Sequence, residues 1–408
     1  MRSNSPVVII GGGQAGLAIS HELTALGLEH QILERGRIAQ TWRDRWDSFC
    51  LVTPNWTVKL PGGEYAGDDP HGFMPREEIV RHLESYATSF SAPVREGVTV
   101  TRLERAVDGA FRVESSEGEM HADQVVVATG AYQRPHRPAG ATVPAGIAVL
   151  DAESYRNEAA LPPGAVLIIG SGQTGCQLAE ELRHAGREVV LACGKAPWFM
   201  RRVDGRDVFD WAHETGFMDH TIADLPSPAA RLGGNVQATG HDGGHDLHFR
   251  TLQSIGVVLA GHFLGTEDGR AHFAPDLAAS VAFGDARYRD LRELIARTCV
   301  RLGAAVPEMP DPPPFQAEAP ESIDLRSVGS VIFTSGFRPD YKSWIHLDAF
   351  DEMGFPIQVD GASTVVPGLY FCGVHFLRKR KSSLLLGVGE DAAIVASRIA
   401  EAPADVPS

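Results

Sequence analysis

An α/β fold built from two similar units, one inserted in the other, follows from three observations on this 408-residue chain. A buried strand running into a glycine turn occurs twice, as VVIIGGGQAG at 7–16 and VLIIGSGQTG at 166–175. Proline-rich crossings flank the second copy: Pro135, Pro138, Pro144 and Pro162-Pro163 before it, Pro307, Pro310 and Pro312-Pro313-Pro314 after it. The last third then reads again as strand and turn (Gly368 to Gly373) and terminal helix (Ala392 to Ala400). These boundaries predict a discontinuous first domain over 1–159 and 326–408, and an inserted second domain over 160–325.

Each element of the first unit has a mechanical reason. Pro6 to Ile10 is a short β-branched apolar run, suited to a strand buried on both faces. In Gly11-Gly12-Gly13-Gln14-Ala15-Gly16, Gly11 permits the tight turn and Gly13 lets backbone N–H groups approach a pyrophosphate. Gly16 lets the next helix pack close to the strand, so that its positive end faces the phosphates. Leu17, Ile19, Leu23 and Leu26 then recur at helical spacing as far as Gly27, a C-cap. A second strand, Glu29 to Leu33, ends on Glu34, 18 residues past Gly16, where a carboxylate can accept both ribose hydroxyls. Strand, glycines, helix, strand and acid in this order predict a Rossmann-type dinucleotide site.

The second unit repeats the pattern with one change. Ala165 to Ile169 is the strand and Gly170-Ser171-Gly172-Gln173-Thr174-Gly175 the turn. Leu178, Ala179 and Leu182 line the helix, and Glu188 to Leu191 is the next strand. The counterpart of Glu34 is Cys193. Without a carboxylate there, a ribose 2′-phosphate is not repelled, and Lys195, Arg201 and Arg202 follow to supply positive charge. The expectation is FAD in the first unit and a diffusible NADPH in the second, so that a hydride passes from nicotinamide to flavin.

Two further strands end in small-residue turns: Val125 to Ala128 before Thr129-Gly130, and Val331 to Phe333 before Thr334-Ser335-Gly336-Phe337. Both turns suit a chain that passes close to a cofactor. Gly387 to Asp391 opens the terminal helix, whose N-terminus near a flavin would stabilise the anionic reduced ring.

Composition narrows the partners. The formal charge of −15 argues against nucleic acid or an anionic membrane. No apolar run reaches the ~18 residues of a membrane helix, and no signal-type segment opens the chain, so a cytoplasmic protein is expected. A homodimer stays open. The five cysteines (Cys50, Cys176, Cys193, Cys299, Cys372) have no CxxC spacing, which excludes a paired-thiol redox centre. The basic run Arg378-Lys379-Arg380-Lys381 reads as a solvated loop or as an anchor for a phosphate or acidic substrate. His241, His245 and His248 lie in a Gly/His-rich insert whose Gly240, Gly243 and Gly244 break any helix. A plain loop, or a loop touching nicotinamide or substrate, is expected there rather than a metal site.

With both glycine turns, Ala128-Thr129-Gly130 and TSGF at 334–337, the chain resembles the flavoproteins with two dinucleotide-binding domains. More closely it resembles the flavin-containing monooxygenases and their bacterial relatives known as flavoproteins involved in cation transport, with the plant YUCCA-type enzymes more distant. The resemblance covers almost the whole length. Its most specific stretches are TWRDRWDS at 41–48, LVTP at 51–54, FMPR at 73–76, VDGRD at 203–207, and the segment from Phe376-Leu377-Arg378 to Gly389-Glu390-Asp391.

This resemblance implies that Gln40, Thr41 and Trp42 wrap the flavin and that the backbone at Val100 touches adenine. Arg35, Thr129 and Gly130 join the set expected to bind the cofactor. It further implies an NADPH-dependent monooxygenase in which a flavin C4a-hydroperoxide passes one atom of O₂ to a small molecule: an amine, a sulfide, a ketone or a 2-oxo acid. Two departures stand out. The identifying motif FxGxxxHxxxY/F keeps its aromatic as Tyr155 but has Asp151 where histidine is expected. The asparagine placed near flavin N5 in the family falls here after Pro54, at Asn55, the candidate for holding the hydroperoxide proton. An oxidase, dehydrogenase or flavin reductase without oxygenation is the alternative, and a redox-sensing regulator a more remote one.

Overall fold

The computed structural model describes residues 3–316 and 318–402, so the extreme ends of the two outer segments lie outside the described residues. The chain enters as β1 (Ser3–Ile10), turns through the first glycine run into α1 (Gln14–Ala25) and returns as β2 (His30–Glu34). A short α2 (Gln40–Arg43), then α3 (Arg76–Ser89) and β3 (Val94–Glu96) follow. An antiparallel meander comes next: β4 (Val100–Arg105), β5 (Phe111–Ser115) and β6 (Gly118–Val127). The second unit carries β7 (Ala148–Asp151), β8 (Ala165–Ile169), α4 (Gln173–His184) and β9 (Val189–Ala192). It continues through α5 (Val208–Glu214), α6 (Phe249–Ser254), β10 (Val258–Ala260), α7 (Leu277–Leu302) and β11 (Val328–Phe333). The return to the first unit is β12 (Leu369–Phe371) and α8 (Val388–Glu401).

Two sheets result. In the first, β12, β6, β1, β2 and β3 lie side by side and parallel. In the second the order is β7, β11, β8, β9, β10, again parallel throughout. Both central strands are covered on both faces: Val8 and Ile9 in β1, and every residue of β8, are buried. That double burial is why these runs are continuously apolar rather than alternating. α8 closes one face of the first sheet by packing Ala392, Val395, Ala396 and Ile399 into the core that α1 lines with Leu17, Ala18 and Ile19.

The second sheet extends beyond the 160–325 boundaries expected for it. β7 and β11 fall in segments assigned to the first domain, yet Val149 pairs with Val331 and Leu150 with Ile332 at one edge of the second sheet. A four-residue strand between proline-rich stretches carries no local mark of the sheet it joins. Its partner far along the chain decides. The sheet therefore runs from 148 to 333.

The basic run is neither a solvated loop nor a free anchor. Arg378 pairs with Asp360 and Asp391, and Lys379 with Asp219 and Glu390. Lys381 is buried and reaches the same two acids, while Arg380 stacks over Phe217 and Phe376. Asp219 and Phe217 belong to the inserted stretch and Glu390 to α8, so Lys379, Arg380 and Lys381 tie the two units together, while Arg378 stays within the first.

Candidate functional site

Because β12, β6 and β1 are parallel neighbours, their carboxyl ends open onto one edge, the usual ligand edge of such sheets. From that edge issue Gly11–Gly16, Thr129–Tyr132 and Gly373–His375. Gly11 (φ +113°) lies so close to the end of β6 that a Cβ there would come 2.5 Å from the Ala128 carbonyl oxygen. At Gly13 a Cβ would meet nothing within 4 Å, although α1 begins at the next residue. Gly172 is open in the same way before α4. Each turn thus presents an empty cradle at a positive helix end, the shape and charge a dinucleotide pyrophosphate requires.

Glu34 is buried at the tip of β2. Its Oε2 accepts the Gly12 N–H at 2.6 Å and its Oε1 the Gly36 N–H at 2.8 Å. A carboxylate offers about four acceptor positions, so two remain for ribose hydroxyls. Arg35 is exposed beside it. The Trp42 indole N–H donates to Gln14 Oε1 at 2.9 Å, and Gln14 Nε2 donates to the Ser383 carbonyl at 3.3 Å. This lays the Gln40–Trp42 turn against the first glycine run; Thr41 is exposed, and Gln40 Oε1 accepts the Arg37 N–H. Thr129 Oγ1 accepts from Gln133 Nε2 at 3.1 Å, and Gly130 adopts φ +83°. Val100 opens the meander, pairing with Ser115. It is Val98 that is tied to the tip of β2, its N–H donating to the Glu34 carbonyl at 2.9 Å.

The second turn differs from the first in a paired way. Ile10 lies opposite Leu33 and Ile169 opposite Ala192, so Glu34 and Cys193 are equivalent by register. A Cβ on Gly12 would come 2.9 Å from the Glu34 Cβ, so glutamate requires glycine there. The equivalent of Gly12 is Ser171, whose hydroxyl accepts the Gly194 N–H at 2.9 Å. Part of the space left by the missing carboxylate is therefore filled by the serine. Cys193 itself points into the core, and burial pushes its thiol pKa well up.

A strap crosses this turn. Gln173 Nε2 donates to the Val236 carbonyl (3.1 Å) and Gln237 Nε2 to the Ser171 carbonyl (2.8 Å). The strap continues to Gly240, where a Cβ would run into the Leu51 carbonyl and Phe73 of the first unit. Its three histidines have separate partners. His241 lies 3.2 Å from Asp242, and His245 Nε2 lies 2.7 Å from Glu180. His248 caps α6 and packs on Trp198, with burial pushing its pKa down to about 4. No cluster of acids, histidines and cysteines among the described residues could hold a metal.

Several expected residues have other duties. Asn55 is buried, its Nδ2 donating to the Asp69 carbonyl (2.9 Å) and its Oδ1 accepting the Met74 N–H (2.7 Å). Its carboxamide pins the 69–74 loop. Arg201 is buried against Asp207 (2.8 Å) and the Phe73 ring, and Arg202 donates to the Gly243 and Gly244 carbonyls (2.7 Å each). Arg201 is buried, and the exposed Arg202 has its guanidinium held by the two glycine carbonyls, whereas Lys195 is exposed with no acid or carbonyl holding it among the described residues. Asp151 forms a bidentate pair with Arg137 (2.8 and 2.7 Å), and Tyr155 donates to Glu181 (2.7 Å).

The residues missed from the sequence form the wall where the two sheets meet. The Tyr132 ring lies 5.2 Å from Phe337 and 5.1 Å from His375, with the Arg45 guanidinium 5.6 Å away. Tyr132 keeps 39% of its surface accessible, yet burial raises its hydroxyl pKa, as fits a ring lining a deep cleft. Burial likewise pushes His375 down to about 4, and its Nδ1 lies 3.2 Å from the Ser383 hydroxyl. On the other side, Thr334 Oγ1 donates to the Gly170 carbonyl (2.6 Å), which brings Phe337 from the end of β11 to the same wall. Both Tyr132 and His375 stand two residues past a glycine that follows shortly after a strand, a signal that could have found them.

Comparison with known proteins agrees with this architecture. Residues 8–208 match the pyridine nucleotide-disulphide oxidoreductase family. Over 390 residues, 95% of this chain and 95% of the other, the sequence is 30% identical to a CzcO-like oxidoreductase of Geobacillus kaustophilus. The chain belongs to the CzcO-like oxidoreductases. The indole-3-pyruvate monooxygenase YUCCA1 of Oryza sativa is 31% identical over 211 residues, 50% of this chain and 51% of that one. A flavin-containing monooxygenase from Stenotrophomonas maltophilia has the same fold, with a TM-score of 0.66, 19% identity, and 98% of this chain and 99% of that one covered. No helix among the described residues of this CzcO-like chain is long and apolar enough to cross a membrane.

Proposed function

We propose that the two units are dinucleotide-binding domains, FAD at the first turn and NADPH at the second, and that the enzyme is an NADPH-dependent monooxygenase of small organic molecules in the cytoplasm. One observation carries this reading: the carboxyl ends of both sheets converge on the Tyr132–Phe337 wall, so nucleotides held at the two turns share one cleft. Bound FAD and NADPH would supply the hydride transfer and the delivery of electrons to O₂ by which one oxygen atom reaches a substrate. The chain's own residues bind and enclose. Glu34 accepts ribose hydroxyls, Gln14 and Trp42 close over the first turn, and the aromatic wall keeps water from the cleft.

The test is stoichiometry. NADPH consumed is measured against oxygenated product and hydrogen peroxide, with amines, sulfides and 2-oxo acids offered in turn. Product accounting for a major share of NADPH with one class is expected. Peroxide alone with every class would establish the second reading, an oxidase or flavin reductase, which the commitment of Asn55 and Asp151 to protein partners favours.

Lys195 supplies the preference for the 2′-phosphate in this reading. Lys195→Ala should raise the KM for NADPH roughly tenfold, the loss of ~1.4 kcal/mol from one charge-assisted contact, and leave that for NADH unchanged. An equal change for both nucleotides would place the phosphate elsewhere.

A further inference from the structure

Beside the Tyr132 wall stands an arginine that no acid among the described residues contacts. Most guanidinium groups around it are engaged: Arg76 with Asp47, Arg137 with Asp151, Arg231 with Asp351. Arg45 is not. No carboxylate among the described residues pairs with it, and its Nε is buried without a hydrogen-bond partner. Its contacts are aromatic, with the guanidinium carbon 5.5 Å from the Phe49 ring and 5.6 Å from the Tyr132 ring. Burial lowers its pKa, while Tyr132, Glu153 and Asp44 raise it only through space. Arg45 is partly buried, and a desolvated cation with no hydrogen-bonded acid costs free energy unless something neutralises it. Aromatic contacts do so only weakly, and they leave the hydrogen-bonding edge of the guanidinium unused.

Two kinds of anion could use that edge. The dinucleotide phosphates already have a positive helix end each, at Gly13–Gln14 and Gly172–Gln173. Arg45 stands instead beside Tyr132 and, across that ring, His375, at the strand ends where the two sheets meet. His375, with its pKa near 4, is neutral at pH 7 and offers no competing charge. The position is that of a substrate group.

We propose that Arg45 anchors a carboxylate of the substrate, so that the enzyme acts on small organic acids with an apolar body set against Tyr132 and Phe337. This inference rests on the cleft being the substrate site of the proposed oxidoreductase, and it is tested by binding, apart from turnover. The FAD-loaded enzyme is titrated calorimetrically with phenylacetate and pyruvate, each against its neutral amide, phenylacetamide and pyruvamide. The parent protein should bind at least one acid tenfold or more tightly than its amide. Arg45→Met should remove that preference while changing amide binding less than twofold, and Arg45→Lys, which keeps the charge but not the planar fork, should retain part of it. No acid preference in the parent protein, or an undiminished one in Arg45→Met, overturns the proposal. So does loss of FAD from both variants, which would assign the arginine to a cofactor phosphate. Product stoichiometry on the same preparations reports separately on oxygenation: acid preference without oxygenated product sustains the anchor and sinks the monooxygenase reading.

Discussion

Gly13→Val is expected to yield a folded, colourless protein. The backbone at Gly13 (φ −86°, ψ −169°) is extended, a conformation valine adopts readily, and a Cβ there touches no protein atom. The side chain would instead stand in the cradle in front of α1, where the pyrophosphate meets the turn. FAD affinity should fall at least 100-fold, about 2.7 kcal/mol, with the circular dichroism and melting profile of the parent apoprotein retained. Gly172→Val should do the same to NADPH while leaving the protein yellow. Gly16→Ala is the contrasting case, since its Cβ would run into the Gly11 carbonyl and damage the fold itself. Stoichiometric FAD on purified Gly13→Val would show that the first turn does not hold it.

Asp207→Ala should be the most destabilising of the single changes, by about 3–5 kcal/mol in denaturant unfolding. Both members of the Arg201–Asp207 pair are buried, and burial pushes the carboxyl up and the guanidinium down. The Nη1 and Nη2 atoms of Arg201 are buried without hydrogen bonds among the described residues. Removing the aspartate leaves that guanidinium with only the Phe73 and Phe209 rings, and also removes the cap at Phe209 N–H. Arg201→Met in the same chain should restore a large part of the loss, because a buried ion pair replaced whole by apolar atoms is often near neutral. Equal instability of the single and double variants would mean that the cap, not the charge, is what Asp207 contributes.

The first unit was legible because its signals are local. Strand, glycines, helix and Glu34 lie within one stretch of chain, and each has a steric or electrostatic reason visible in its own residues. Signals that depend on distant partners were not. β7 and β11 fall outside the 160–325 boundaries because only their mutual pairing reveals the sheet they share. The basic run looked solvated because its acids, Asp219, Asp360, Glu390 and Asp391, are scattered along the chain. The change from Glu34 to Cys193 was visible, but its companion change from Gly12 to Ser171 acquires meaning only when the two face each other across the turn. Asn55 had the right chemistry for a catalytic amide. What commits it is the backbone of a loop that folds back onto it.

The parallel pairing of β12 with β6 also bears on how the chain is made. Val125, Val126 and Val127 have their partners in Leu369, Tyr370 and Phe371, beyond the whole inserted unit. During synthesis the first sheet must wait, with an open apolar edge, for the intervening stretch to emerge. At about 5–20 residues per second that wait is on the order of 10–50 s. The inserted unit brings together β7 and β11 from its own two ends, so it can close before the first sheet does. A nascent chain therefore passes through a state in which one half is complete and the other presents an unpaired strand. That is a natural substrate for a ribosome-associated chaperone, and a site of self-association when none is at hand.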